Sequence, residues 1–242
     1  MSERSERIGF VGTGIMGAPM ARNARRAGFT VTVANRTPAR AAPLAAMGIT
    51  VVRTPREVAM ASDIVVTMVV DSPDVEAVLF GPDGVAAGAH DGLLAIDMST
   101  ISPARTKEFA ARAAQNAPPF RTLDAPVSGG EVGAVEARLS IMIGGDAADV
   151  ERARPLFEAL GKTIVHIGDH GAGQACKLAN QIAVAINNLG VSEALVFAAS
   201  QGIDLERVRQ VVAGGAGSSW AMQNDAPKML AGDFKPGFMV DL

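Results

Sequence analysis

Lys177 stands between Cys176 and Leu178, near the start of an apolar stretch that carries no further charge until Glu193. An ammonium drawn partly out of water loses some of its preference for the charged form. Its pKa then falls toward the range where it can give and take a proton. Asn180 follows three residues later, which on a helix is the same face. An ammonium beside an amide could hold a carbonyl oxygen and protonate it. The same lysine could instead run along the helix surface and keep its charge in water. Spacing alone leaves both readings open.

A second group of residues lies near the N-terminus. Gly12, Gly14 and Gly17 form G-x-G-x-x-G within I-G-F-V-G-T-G-I-M-G, the segment Ile8 to Gly17. The apolar run before it reads as a buried strand, and Ala18 to Ala27 after it as a helix. In that context the pattern is a dinucleotide-binding candidate. Gly12 would permit a tight turn, Gly14 a close approach of a pyrophosphate, and Gly17 close helix-on-strand packing. The helix N-terminus would present free N–H groups to the phosphates. An ordinary strand-to-helix turn is the plainer alternative. The next strand, F-T-V-T-V-A, ends at Asn35, Arg36 and Thr37 with no acidic residue to accept from a ribose 2′-OH. Arg36 offers a fork of donors suited to a 2′-phosphate. NADP is therefore expected ahead of NAD, a solvated surface arginine being the alternative.

These residues need elements to hold them. Pro38 to Met47 reads as a helix and Ile49 to Val52 as a strand. Thr54 and Pro55 open a helix, and Ile64 to Val70 is an unbroken apolar strand. Asp71 to Val78 reads as a helix, Leu93 to Met98 as a strand and Pro103 to Ala114 as a helix. Strands alternating with helices predict an α/β fold with a Rossmann-type doubly wound sheet, whose ligands bind outside the carboxyl ends of the strands. Val69, Val70 and Asp71 stand at one such end, and Ser99 and Thr100 at another. Ser99 and Thr100 fit equally well as caps of the following helix. Further on, Pro126 in D-A-P-V-S-G-G argues against a central strand. Ser128, Gly129 and Gly130 read as a small-residue turn whose N–H groups could face an anion. Ser140 to Gly144, Asp149 to Leu160 and Thr163 to Ile167 read as strand, helix and strand.

From Gln174 the strand patterns stop. Gln174 to Gln201 reads as one long helix, apolar on all sides and so expected to be buried between a domain and something else. Asp204 to Ala213 and Trp220 to Leu230 continue as helices, with Trp220 expected in their core and the wall of a pocket as the alternative. The division expected is a nucleotide domain over 1–168 and an all-α domain over 169–242. A helical domain of that size is marginal alone, so a second subunit is expected to cover it.

Composition narrows the function classes. The chain has 242 residues, a formal charge of −3, 48% hydrophobic and 19% charged residues. No run of like charge or basic aromatic patch favours nucleic acid. Cys176 is the single cysteine and reads as a small core residue. His90, His166 and His170 are scattered without metal-ligand spacing, so no metal is expected. Met1 to Arg7 lacks the apolar core of a secretory signal. Ala183 to Ala199 is interrupted by Asn187, Asn188, Ser192 and Glu193 and reads as a buried helix rather than a membrane span. The expected location is the cytoplasm.

Four motifs in order, G-F-V-G-T-G-I-M-G-A-P-M-A-R-N, D-M-S-T, D-A-P-V-S-G-G-E-V-G-A and G-A-G-Q-A-C-K-L-A-N-Q, resemble the β-hydroxyacid dehydrogenases, the family of 3-hydroxyisobutyrate dehydrogenases and tartronate semialdehyde (2-hydroxy-3-oxopropionate) reductases. The resemblance runs from Ile8 to the last residue. It implies hydride transfer between a nicotinamide, NADP or NAD, and a short β-hydroxyacid or semialdehyde. Gly12, Gly14, Ile15, Met16 and Gly17 would hold the pyrophosphate, and Asn35, Arg36 and Thr37 the adenosine end. Val69, Val70 and Thr100 would lie near the nicotinamide and its ribose. Ser128, Gly129 and Gly130 would bind the substrate carboxylate. Lys177 would be the acid/base and Asn180 would orient the substrate. A homodimer or homotetramer through the helical domain is implied as well. Imine reductases and non-catalytic NADP-binding members share the scaffold, but tend to lack the lysine. Three departures stand out. Val70 occupies a position where many relatives have proline, and Ala137 one where glycine is common. The family also continues past F-M-V-D-L into a Lys-Asp pair and further helices, so the helical domain is expected to be truncated.

Overall fold

The computed structural model of the chain describes residues 6–234. Strands and helices alternate first: β1 (Arg7–Val11), α1 (Gly17–Arg26), β2 (Thr30–Ala34), α2 (Pro38–Ala45), β3 (Thr50–Val51), α3 (Pro55–Met60), β4 (Ile64–Thr67), α4 (Ser72–Phe80), β5 (Leu94–Asp97), α5 (Pro103–Ala114) and β6 (Arg121–Asp124). These strands are parallel and lie in the order β3-β2-β1-β4-β5-β6. The order reverses beside β1, as a doubly wound sheet requires. Side chains alternate across the pleat. Ile8, Phe10, Ile64, Val66, Leu94 and Ile96 pack on one face with Met20 and Ala24 of α1. Val11, Val65 and Ala95 pack on the other with Val58, Leu79 and Phe109. Burial on both faces explains why the central strands read as unbroken apolar runs. Local chemistry starts the helices. Thr54 and Glu57 form a reciprocal capping box on α3, and Ser102 caps α5.

Beyond β6 the chain doubles back. β7 (Val127–Ser128) pairs antiparallel with β8 (Leu139–Gly144) in the register already set by Asp124 against Gly144. β6 and β7 are thus one strand interrupted at Ala125 and Pro126, where proline has no N–H to give. Between them and β8 runs α6 (Gly130–Val135), which begins within the turn expected over Ser128 to Gly130. Its end is fixed by Asn23 on α1, whose buried amide donates to Ala134 O at 2.7 Å. α7 (Ala147–Leu160) leads to β9 (Gly161–Gly168), which lies parallel to β8 and returns the chain to the level of Asp124.

Among the described residues four helices follow: α8 (Ala172–Ser200), α9 (Leu205–Ala213), α10 (Trp220–Asn224) and α11 (Ala226–Ala231). The described residues fall into two compact units that part inside α8, after Lys177. The second unit has a small core of Val191, Leu195, Ala221, Met222 and Ala226.

The structure corrects three expectations, on Trp220, on the last helix and on β4. On α8 the described residues cover the stripe through Val191 and Leu195, while Ile182, Ile186, Leu189, Val196 and Phe197 are exposed within the chain, the surface expected to be buried against something else. By length and a mean hydropathy of 1.6 over an 18-residue window, α8 is long and apolar enough to cross a membrane. Trp220 is 67% exposed rather than in the core, since α10 begins at it and turns Ala221 and Met222 inward. The helix expected over Trp220 to Leu230 breaks at Asp225, where Pro227 in the first turn of α11 cannot continue the ladder. Finally, β4 ends at Thr67 rather than Val70. The Val69 N–H leaves the ladder and donates to Ser99 Oγ at 3.0 Å.

Candidate active site

The turn after β1 is built by exclusion. Gly12 has φ +96°, and a Cβ there would lie 2.2 Å from Met68 O. A Cβ on Gly17 would lie 1.9 Å from Gly12 O, so only glycine lets α1 start this close to the strand. Gly14 differs: among the described residues, its chain neighbours aside, nothing lies within 4 Å of its Cβ position, so its bare backbone faces open space. The N-terminus of α1 has no side-chain cap and no acid in its first turn. Ala18 N donates to Gly14 O at 3.1 Å and Pro19 has no N–H, so the Gly17 N–H and the partial positive charge of the helix end are what this terminus offers an anion. Ile15 is exposed and Met16 is the residue before the helix. These features fit a dinucleotide pyrophosphate.

At the end of β2, Asn35 ties the two nucleotide turns together. Its Oδ1 accepts from Thr13 N at 2.9 Å and its Nδ2 donates to Thr37 O at 2.9 Å. The Arg36 side chain is 86% exposed and pairs with Asp74 on α4 at 3.3 Å, beside an open cleft. An exposed pair of this kind holds weakly, so the guanidinium is available to a phosphate.

The ends of β4 and β5 share a buried polar network. Asp97 Oδ1 accepts from Thr67 Oγ1 at 2.7 Å and from Ser99 N at 3.2 Å. Asp97 Oδ2 is buried and has no partner among the described residues. Burial pushes this carboxyl up to about 6, against the lowering by its bonds to Ser99 and Thr67. Ser99 Oγ accepts from Val69 N, as noted, and thereby fixes the segment that carries Val69 and Val70. Thr100 is exposed between the buried Ser99 and Ile101.

Lys177 lies on the first turns of α8 and is 8% exposed. Among the described residues no acceptor or carboxylate pairs with its ammonium. Burial lowers its pKa from the ordinary lysine value. The helix turn before it is fixed from two sides. Asp124 at the end of β6 accepts from Gly171 N at 2.8 Å and Gln174 N at 2.9 Å. The Gln174 side chain donates from Nε2 to Ser99 O at 2.8 Å and accepts at Oε1 from Ile101 N at 3.0 Å. Asn180 lies further along α8, and its amide donates to Gln181 Oε1 at 3.1 Å. Cys176 is half-buried.

Ser128 ends β7, and Gly129 and Gly130 follow with φ +133° and +61°. This is a strand end opening straight into α6 rather than a free turn. Nothing lies within 4 Å of the Gly130 Cβ position. Ala137, with φ +54°, is the one non-glycine residue in the left-handed region among those described.

Every proposed cofactor contact therefore lies at the carboxyl end of a parallel strand. Sequence reasoning missed Asp124 and Gln174. The signal was present: each is a polar residue in a motif otherwise made of small and apolar ones, D-A-P-V and G-A-G-Q. Among the described residues no group of acidic, histidine or cysteine side chains could hold a metal ion.

Comparison with known proteins agrees with this geometry. Residues 7–168 match the family model described as the NAD binding domain of 6-phosphogluconate dehydrogenase. Residues 171–242 match that described as the NAD-binding domain of NADP-dependent 3-hydroxyisobutyrate dehydrogenase. The chain is 49% identical over 236 residues to 2-hydroxy-3-oxopropionate reductase of Escherichia coli, covering 98% of this chain and 80% of that protein. A structure of Mycobacterium tuberculosis 3-hydroxyisobutyrate dehydrogenase with L-serine superposes with a TM-score of 0.88 at 36% identity, covering 97% of this chain and 81% of that one. An imine reductase variant from Myxococcus stipitatus in complex with NAD+ is more distant, at 26% identity and a TM-score of 0.77 over 95% of this chain and 78% of that one. The glycine turn, the strand-end segments and these matches agree: the chain belongs to the β-hydroxyacid dehydrogenase family of NAD(P)-dependent oxidoreductases.

Proposed function

We propose that the chain reduces a short aldehyde acid of the 2-hydroxy-3-oxopropionate type with NADPH, and oxidises the corresponding hydroxyacid in reverse, with Lys177 as general acid/base. The observation that carries this reading is a buried lysine without a partner among the described residues, its pKa lowered by burial. The nicotinamide, when bound, supplies the hydride. Gly12, Gly14, Ile15, Met16 and Gly17 hold the pyrophosphate. Asn35, Arg36 and Thr37 hold the adenosine end, with Arg36 on the 2′-phosphate. Val69, Val70 and Thr100 border the nicotinamide. Ser128, Gly129 and Gly130 grip the substrate carboxylate, and Asn180 orients the carbonyl. In reduction Lys177 gives its proton to the oxygen on which negative charge develops. In oxidation it takes the proton back.

The reading extends to assembly. We assign 1–168 to the nucleotide domain and 169–242 to a helical domain that joins copies into a homodimer or homotetramer. The exposed apolar residues of α8 support a protein partner over a bilayer. Glu193 places a charge within the apolar run of the helix. The cytoplasm is the location proposed.

The test is an absorbance assay of NADPH and NADH oxidation against tartronate, methylmalonate and succinic semialdehydes, glyoxylate and a set of cyclic imines. Turnover of an aldehyde acid, faster with NADPH, is the expected result. Turnover of imines alone, or cofactor binding with no turnover of any of them, would overturn the reading.

A further inference from the structure

We propose that Gln174 is a positioning residue: its amide grips the peptide groups on both sides of Thr100 while its backbone N–H is held by Asp124, so the Thr100 segment and the helix turn bearing Lys177 are locked together. This rests on the reading of Lys177 and Thr100 given above. Three observations carry it. Gln174 is wholly buried and uses both ends of its amide, donating to Ser99 O and accepting from Ile101 N. Thr100, between those two residues, is left exposed. Ser99 in turn holds Val69 N, so the segment after β4 joins the same network.

The lock is rigid because its far side is rigid. Asp124 receives both Gly171 N and Gln174 N at the end of a central strand. A Cβ on Gly173 would lie 2.4 Å from Met142 O and 2.8 Å from Asp124 Oδ2, so this turn of α8 sits directly on β6 and β8. Lys177 follows Gln174 by three residues, on the same helix face. A residue that only stabilised the fold would satisfy these backbone groups. Gln174 does so between the proposed nicotinamide segment and the helix turn that carries the proposed acid. Small errors in such placement cost rate steeply.

Two variants test it. Gln174→Met keeps the length and loses both bonds. It should still fold by circular dichroism, bind NADPH about ten-fold more weakly by calorimetry and lose about ten- to a hundred-fold in kcat, with a smaller change in KM for the aldehyde acid. Gln174→Glu can copy the amide only when protonated, donating O–H to Ser99 O and accepting from Ile101 N. Its NADPH affinity relative to wild type should therefore recover as pH falls from 8 to 5. Unchanged affinity and kcat in Gln174→Met, with only a lower melting temperature, would overturn the proposal. Should that variant not fold, a pH-independent affinity ratio in Gln174→Glu would do the same. Lys177→Ala is assayed alongside. Full turnover in Lys177→Ala strikes the reading of the lysine, whereas its loss beside a fully active Gln174→Met strikes only the role of Gln174.

Discussion

Ile64-Val65-Val66 in β4 and Ile182-Ala183-Val184-Ala185-Ile186 in α8 are about equally apolar in sequence, yet β4 is wholly buried and the stretch of α8 is exposed throughout. The two units cover their apolar surface differently. The nucleotide unit closes a sheet from both sides with helices, so every central strand finds partners within the chain. Among the described residues the helical unit offers a long helix only α9 and two shorter helices as cover, and they meet one stripe of it. Apolarity tells how much surface needs burying; topology decides whether the chain can bury it itself. The division also separates kinds of chemistry. Buried polar groups cluster in the nucleotide unit, where Asp97, Ser99, Asp124 and Gln174 are held by a rigid surround.

The largest effect is expected where the nucleotide unit has no slack. In Gly17→Val the new side chain meets the Gly12 carbonyl, so α1 must leave the strand. A loss of more than about 4 kcal/mol in denaturant unfolding, or no folded protein, is expected, in the range reserved for backbone and core clashes. Stability near wild type would show that the turn is looser than drawn.

Asp97 comes next. Its carboxyl is raised to about 6 in the fold against about 4 when unfolded. Between these values the native state holds more protons than the unfolded one. Stability therefore falls as pH rises through that window, by on the order of 3 kcal/mol at most. Unfolding curves from pH 4 to 7 should show this slope, and Asp97→Asn should remove it. An unchanged slope in the variant would place the titration elsewhere.

Ala137→Gly should stabilise the nucleotide unit by about 1 kcal/mol, because a left-handed backbone suits glycine and strains alanine. Destabilisation would mean that the methyl contributes more packing than the backbone strain costs. The smallest change in chain stability belongs to the helical unit. Phe197→Glu lies on exposed surface and should shift unfolding by no more than about 0.5 kcal/mol at low concentration. Its sedimentation should nevertheless move toward the monomer. An unchanged sedimentation coefficient would remove Phe197 from any subunit contact.

Much of this was legible in the sequence, for reasons that differ by residue. Gly12, Gly14 and Gly17 act through local geometry, so their spacing revealed the turn. The strand alternation revealed the doubly wound sheet, because each strand's pattern reflects its own two faces. Asp124 and Gln174 were not legible: they are 50 residues apart, and only the fold-back of β7 and β8 and the return of β9 bring them together. The pairing of Arg36 with Asp74 was hidden for the same reason. What covers the rest of α8 was not legible, because a sequence records apolar surface and not what covers it. Ala137 kept the left-handed turn that glycine would make, which composition at that position does not reveal.

The most direct test of the central claim is kcat for aldehyde-acid reduction against pH, in wild type and Lys177→Ala. A lysine that donates the proton must be charged, so the wild-type rate should fall as pH rises through a value below the ordinary 10.5. The alanine variant should be slower by on the order of a hundred-fold and should lack that descending limb. A folded variant with near-normal kcat and the same limb would contradict the account.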